Sequence, residues 1–164
     1  MPTLIGAADL AAIEEQLGRA PRGLIRVAWR CRGGKPGVVV TAPRLPDGTP
    51  FPTTYYLTCP LAVAGCSTLE ARGVMTEMTK RLTEDAQLAG RYRAAHEAYL
   101  ADRHVLGAVP ELDQVSAGGM PDRVKCLHVL VAHSLAVGPG TNPLGDEAVE
   151  MLREFGFGDC LAET

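Results

Sequence analysis

The sequence predicts an α+β fold in which a small three-stranded antiparallel sheet packs against several helices. Strand-like, β-branched runs are confined to residues 24–58. The turns between those runs are too short to hold the crossover helix that parallel pairing needs. From Pro60 onward the apolar spacing becomes helical. A sheet of three strands needs cover on a face, and the later helices supply it.

The elements follow in order. Residues 7–18 read as an amphipathic helix, with Leu10, Ile13 and Leu17 at helical spacing and Gly18 as its stop. In LIRVAWRC, Ile25, Val27, Trp29 and Cys31 alternate with Leu24, Arg26, Ala28 and Arg30, as in a half-buried strand. The turn RGGKPG feeds a second strand, VVVTAP, and Asp47-Gly48 marks the next turn before the third, TTYYLT at 53–58. Pro60 suits the first position of a helix running to Gly73, capped by Cys59 or Thr58. A further helix follows over 75–90. Another covers 91–107, with Tyr92, Ala95, Tyr99 and Leu106 on its inner stripe. VPELDQVSAGGM reads as loop, residues 121–138 as the most apolar helix, and DEAVEMLREFG as the last helix, with an acidic first turn.

Composition narrows the function classes. The 164 residues are 46% apolar, enough for one domain with a real core, and a single α+β domain over 1–164 is the expectation. The net charge of −3 argues against nucleic acid or an anionic membrane as partner. The opening MPTLIGAADL lacks the basic start and apolar run of a signal peptide, and no window has the apolar length of a spanning helix. A cytoplasmic protein is expected. Five cysteines in such a chain do not make a disulfide framework.

Segment 31–60 is the most informative stretch. It holds six of the twelve prolines and four of the eighteen glycines, which describes a rigid, tightly turned surface. Its cysteines Cys31 and Cys59, with Cys126, are candidate zinc ligands. No CxxC or HxxxH pair supports them locally. In an unbroken helix over 121–137, Cys126 and His133 stand about 10 Å apart along the axis. Cys126 and His128 in that helix point to nearly opposite sides. Separate buried thiols are the bland alternative. Cys59 is the candidate nucleophile, because a sulfur at a helix amino end is favoured as thiolate. His128 and His133 interrupt an apolar helix and are candidates for proton transfer or for a satisfied buried network. His96 and His104 sit in a more polar helix and are expected at the surface. Arg22, Arg44, Arg123 and Lys125 adjoin turns or a helix start, and suit phosphate or carboxylate. Asn142 and Asp146 add polar groups in GPGTNPLGD, which matches neither familiar nucleotide-binding loop. The Asp-Gly turn already accounts for Asp47.

The run PRG, the cysteine at 31, TAPRLPDGTPFPTTYYLTCP and GMPDRVKCLHVLVAHSLAVGPGTNPLGD together resemble the uncharacterised bacterial DUF501 proteins, best known from actinobacteria. The resemblance runs roughly from Leu10 to Leu152. It implies a cytoplasmic protein whose gene neighbours encode enolase and a septum-formation initiator, and it supplies no activity. The residues then point to a small anionic-metabolite site between the proline-rich segment and the 121–137 helix. Arg44 and Arg123 would hold the anion with help from Lys125. His128 or His133 would move a proton, and Cys59 would be the nucleophile of an enzyme. The alternative is a metal-stabilised or structural module that binds a protein partner in cell division.

Overall fold

The computed structural model describes residues 5–161, so the ends of the domain expected over 1–164 lie outside the described residues. Helix α1, Ala7–Leu17, stops at Gly18, whose left-handed backbone lets its N–H return to Glu14 O. Of its apolar stripe, Ile13 is fully buried while Leu10 remains exposed. Gln16 Nε2 donates to Pro36 O at 2.7 Å and so ties the end of α1 to the sheet.

The sheet contains β1 (Leu24–Arg30), β2 (Pro36–Thr41) and β3 (Tyr55–Leu57) in the order β1-β2-β3, with both pairings antiparallel. The expected α+β architecture is therefore the observed one. Every residue of the central strand β2 is buried, which explains its unbroken valine run where a half-exposed strand would alternate. Strand β1 slips register three times against β2. Gly37 lets it lie close, since a Cβ there would collide with the Trp29 ring.

Helix α2, Pro60–Ala71, starts with its proline at the first position and Cys59 as N-cap. Helices α3 (Val74–Glu84) and α4 (Ala86–Leu106) meet at Asp85, whose carboxylate accepts from the Gln87 and Leu88 N–H groups at 3.0 Å. That cap starts α4 ahead of the expected residue 91. Tyr92, Ala95 and Tyr99 of α4 are fully buried, as their spacing predicts. His96, expected at the surface, is also buried, because α4 is covered on more than one side. His104 is exposed.

Helix α5, Leu127–Val137, lies against all three strands, with α2 and α6 (Pro143–Glu154) beside it. Its residues from Leu127 to Ser134 are buried apart from the half-exposed His128. The approach of α6 to α5 depends on Gly145, where a Cβ would run into Leu130 O and Ser134 Oγ. Between sheet and helices, Tyr99 Oη accepts from Thr54 N–H at 2.7 Å and Tyr55 N–H at 3.3 Å. A tyrosine hydroxyl thus satisfies backbone donors where β3 begins.

Candidate metal centre

Periodicity places a helix start at Pro121, but the helix begins at Leu127. The preceding backbone is committed elsewhere. Lys125 N–H donates to Gly118 O at 2.7 Å and Arg123 N–H to Gly119 O at 3.1 Å, closing a turn. Val124 N–H donates to Thr79 Oγ1 at 3.0 Å, and Arg123 O accepts from Tyr92 Oη at 2.9 Å. These groups cannot also serve a helical ladder. Cys126 becomes the N-cap of α5 with an extended backbone, φ −152° and ψ 113°. The expectation that Cys126 and His128 diverge fails for this reason: it holds inside a helix, not across a helix start. Cys126 Sγ lies 3.8 Å from His128 Nδ1.

The third member is Glu70, in the last turn of α2. Its Oε1 stands 2.9 Å from the same His128 Nδ1, and its Oε2 lies 3.4 Å from Leu127 N–H. The other ring nitrogen, Nε2, meets Ser67 Oγ at 3.3 Å. Ser67 and Glu70 share a helix face at i,i+3, which is how α2 grips both sides of the imidazole. The ligand atoms of Glu70, Cys126 and His128 all lie within 4.8 Å of one another, a set able to coordinate a metal ion. The contact with Cys126 raises the pKa of His128; burial opposes this, and the Glu70 carboxylate reinforces it. Burial disfavours the Cys126 thiolate, but His128 and the Val129 N–H outweigh it and lower the pKa. Both partners thus lean toward a thiolate beside an imidazolium.

Cys126 and His128 form part of the wall of a cleft of about 630 Å³. Other walls come from Thr53 and Tyr55–Thr58, from Pro60, Val63 and Ala64 of α2, and from Gln16 and Leu17 of α1. The lining is mostly apolar and runs beside the outer strand β3.

The remaining candidates are dispersed. Among the described residues, the convergent donor set joins Cys126 to Glu70 and His128, not to Cys31 and Cys59. Cys59 is buried at the head of α2, while Cys31 is half-buried. His133 is fully buried between the rings of Tyr55 and Tyr99, with Asn142 Nδ2 at 3.2 Å from Nδ1. Arg44 makes a two-pronged pair with Glu111 at 2.8 and 3.0 Å and donates to Gly48 O. Arg22 faces Asp47 at 3.7 Å. Arg123 and Lys125 are exposed on the turn before α5. Asn142 caps α6 through Gly145 N–H, and Asp146 accepts from Gly140 N–H. None of Arg22, Arg44, Arg123, Lys125, Asn142 or Asp146 lines this cleft. Ser67 and Glu70 escaped the sequence reading. Their only signal is a serine and a glutamate one turn apart in a mostly apolar helix.

This is an α+β protein with a cysteine–histidine–glutamate centre fit to coordinate a metal ion at the wall of an apolar cleft. The chain belongs to the DUF501 family, described as "Protein of unknown function (DUF501)", whose model matches residues 27–150. That span contains Glu70, Cys126 and His128. No curated protein and no solved structure matches the chain. Among the described residues, no helix is long and apolar enough to cross a membrane.

Proposed function

We propose that Glu70, Cys126 and His128 bind a zinc ion, and that the adjoining cleft receives a small ligand with an apolar body and an anionic or carbonyl head. One observation carries the reading: a carboxylate and a thiol converge on the same imidazole nitrogen. A single N–H on Nδ1 can be aimed at only one of them, and two adjacent anionic groups repel. A divalent cation among the three satisfies all of them at once. With usual zinc bond lengths and tetrahedral angles, ligand atoms stand about 3.3–3.6 Å apart. The observed 2.9 and 3.8 Å bracket that value and need only small side-chain adjustment. The sulfur and imidazole donors favour zinc over magnesium or calcium, which take oxygen ligands.

Three protein ligands leave a fourth position on the cleft side, the pattern of catalytic and ligand-binding zinc rather than of a closed structural site. This favours an enzymatic or ligand-binding role over a metal-stabilised interaction module in cell division. A bound zinc supplies Lewis acidity toward a carbonyl or carboxylate oxygen. It also provides the cationic anchor that the dispersed arginines do not bring to this cleft. Ser67 holds Nε2 and fixes the ring so that Nδ1 faces the other donors. Leu17, Leu57, Val63 and Val129 supply the apolar surface for the ligand body.

Elemental analysis of purified protein tests the proposal. Close to one zinc per chain is expected, falling to near zero in Cys126→Ser and His128→Ala. Cobalt-loaded protein should show thiolate-to-cobalt absorption that Cys126→Ser abolishes. Folded protein that neither retains nor takes up zinc or cobalt would overturn it.

A further inference from the structure

The cleft beside the metal centre runs along the outer edge of the sheet. Strand β2 holds the inner side of β3. Thr41 N–H donates to Thr54 O and Thr58 N–H to Gly37 O, each at 2.8 Å, with Tyr56 opposite Val39 between them. Alternate residues of an antiparallel strand bond to the same neighbour, so Tyr55 and Leu57 turn their backbone groups away from β2. Where β3 begins, the Tyr99 hydroxyl takes the Tyr55 N–H. The Tyr55 carbonyl and both backbone groups of Leu57 meet no partner among the described residues.

The walls complete a shape around that edge. Leu17 and Tyr56 flank it on the sheet face away from the main core, and Val63 and Val129 flank it on the core side. The amino ends of α2 and α5 border the same cleft through Pro60 and Val63 and through Cys126 and His128. Neither first turn holds an acidic residue, so two positive helix ends favour an anion there. Thr58, only 2% exposed and in the wall, carries a buried hydroxyl oxygen with no partner among the described residues.

We propose that the ligand of this cleft is a short extended peptide with a free carboxylate terminus, which joins the sheet as a fourth strand along β3. This rests on the cleft being a ligand site beside the zinc centre, and it identifies the ligand's apolar body as a peptide. In an antiparallel arrangement, one peptide residue exchanges two hydrogen bonds with Leu57, its N–H to Leu57 O and its carbonyl from Leu57 N–H. The N–H two residues further along the peptide reaches Tyr55 O. Successive peptide side chains then point alternately toward Leu17 and Tyr56 and toward Val63 and Val129, so apolar residues are favoured at both. The terminal carboxylate meets the helix ends and the open zinc position. A fatty acid would fill the same apolar walls but leave the backbone groups of β3 unpaired.

Short random peptides displayed with free carboxyl termini, selected on the full zinc-loaded chain, supply the probe. The most enriched sequence is then synthesised and methylated at each backbone nitrogen in turn. Affinity should fall about tenfold or more at two positions separated by one residue, and little at the residue between them. Amide exchange at Leu57 should slow on binding. Amidation of the terminal carboxylate should weaken binding by a similar factor. Repeating the titration on chelator-treated protein separates this inference from the zinc reading. Alternating losses that persist in protein unable to hold zinc would support strand addition and sink only the metal. A zinc-loaded chain that enriches no peptide would overturn strand addition alone. Equal losses at every methylated nitrogen, or an unchanged Leu57 amide, would overturn it as well.

Discussion

Protonation of His133 gives the sharpest quantitative test of this fold. Asn142 Oδ1 accepts from Gly145 N–H at 3.0 Å, which orients the amide so that its Nδ2–H faces His133 Nδ1 at 3.2 Å. Nδ1 is then an acceptor, and the ring proton sits on Nε2, which is buried without a partner among the described residues. A second proton would set donor against donor inside a fully buried ring stack. Burial accordingly pushes the His133 pKa down to about 4, with Asp102 and Asp146 opposing the shift only in part. The unfolded chain binds more protons than the folded one between about 6.5 and about 4, so stability rises with pH across that window. Acidification from above 6.5 to about 4 should cost about 3 kcal/mol from this residue. His96, lowered by burial, acts in the same sense, and the raised His128 acts in the opposite sense. Urea unfolding of chelator-treated protein between pH 7.5 and 4.5 measures the effect without a contribution from metal release. His133→Gln keeps an acceptor for Asn142 and cannot charge, so it should flatten most of the acid slope. Parallel acid slopes for wild type and variant, or a His133 ring that titrates near 6.5 by NMR, would refute the reasoning.

Two substitutions test the packing that positions the site. Gly145→Ala should destabilise by about 2 kcal/mol or more, read as a lower urea midpoint, because the new methyl meets the backbone of Leu130 and cannot be relieved by a side-chain rotation. Tyr99→Phe keeps the ring but removes the acceptor for Thr54 and Tyr55 N–H; a loss of about 1–3 kcal/mol is expected, with faster amide exchange at both positions.

The sheet was legible because strand and turn signals are local. Val38–Val40, Asp47-Gly48 and the short connections allow little besides antiparallel neighbours. The start of α2 was legible for the same reason, since Pro60 both permits a helix start and forbids a helix interior. The metal centre was not, and one misplaced helix start accounts for it. A proline at 121 before an apolar run reads as a first helical residue. The backbone of 118–125 instead bonds to a turn, to Thr79 and to Tyr92, partners far away in sequence. Moving the start to Leu127 turns Cys126 from a residue opposite His128 into its neighbour. Glu70 could not be found locally either, because a lone glutamate near a helix end reads as solvent-facing. The arginines were ambiguous for a different reason. Arg44 and Arg22 adjoin turns as a ligand-binding residue would, but turns also carry the carboxylates of Glu111 and Asp47 that pair with them.

Helix starts also sort the thiols. Cys59 and Cys126 cap α2 and α5, and in both the N–H groups of the first turn help hold the pKa down. Cys66 lies about two helix turns further into the interior of α2, fully buried, and burial pushes its thiol well above the ordinary range. Charge at a helix amino end is compensated by unpaired N–H groups; charge beside mid-helix backbone is not, because those groups are already bonded. The same element thus separates an ionisable sulfur at its head from an inert one in its body, and ends in the carboxylate of Glu70.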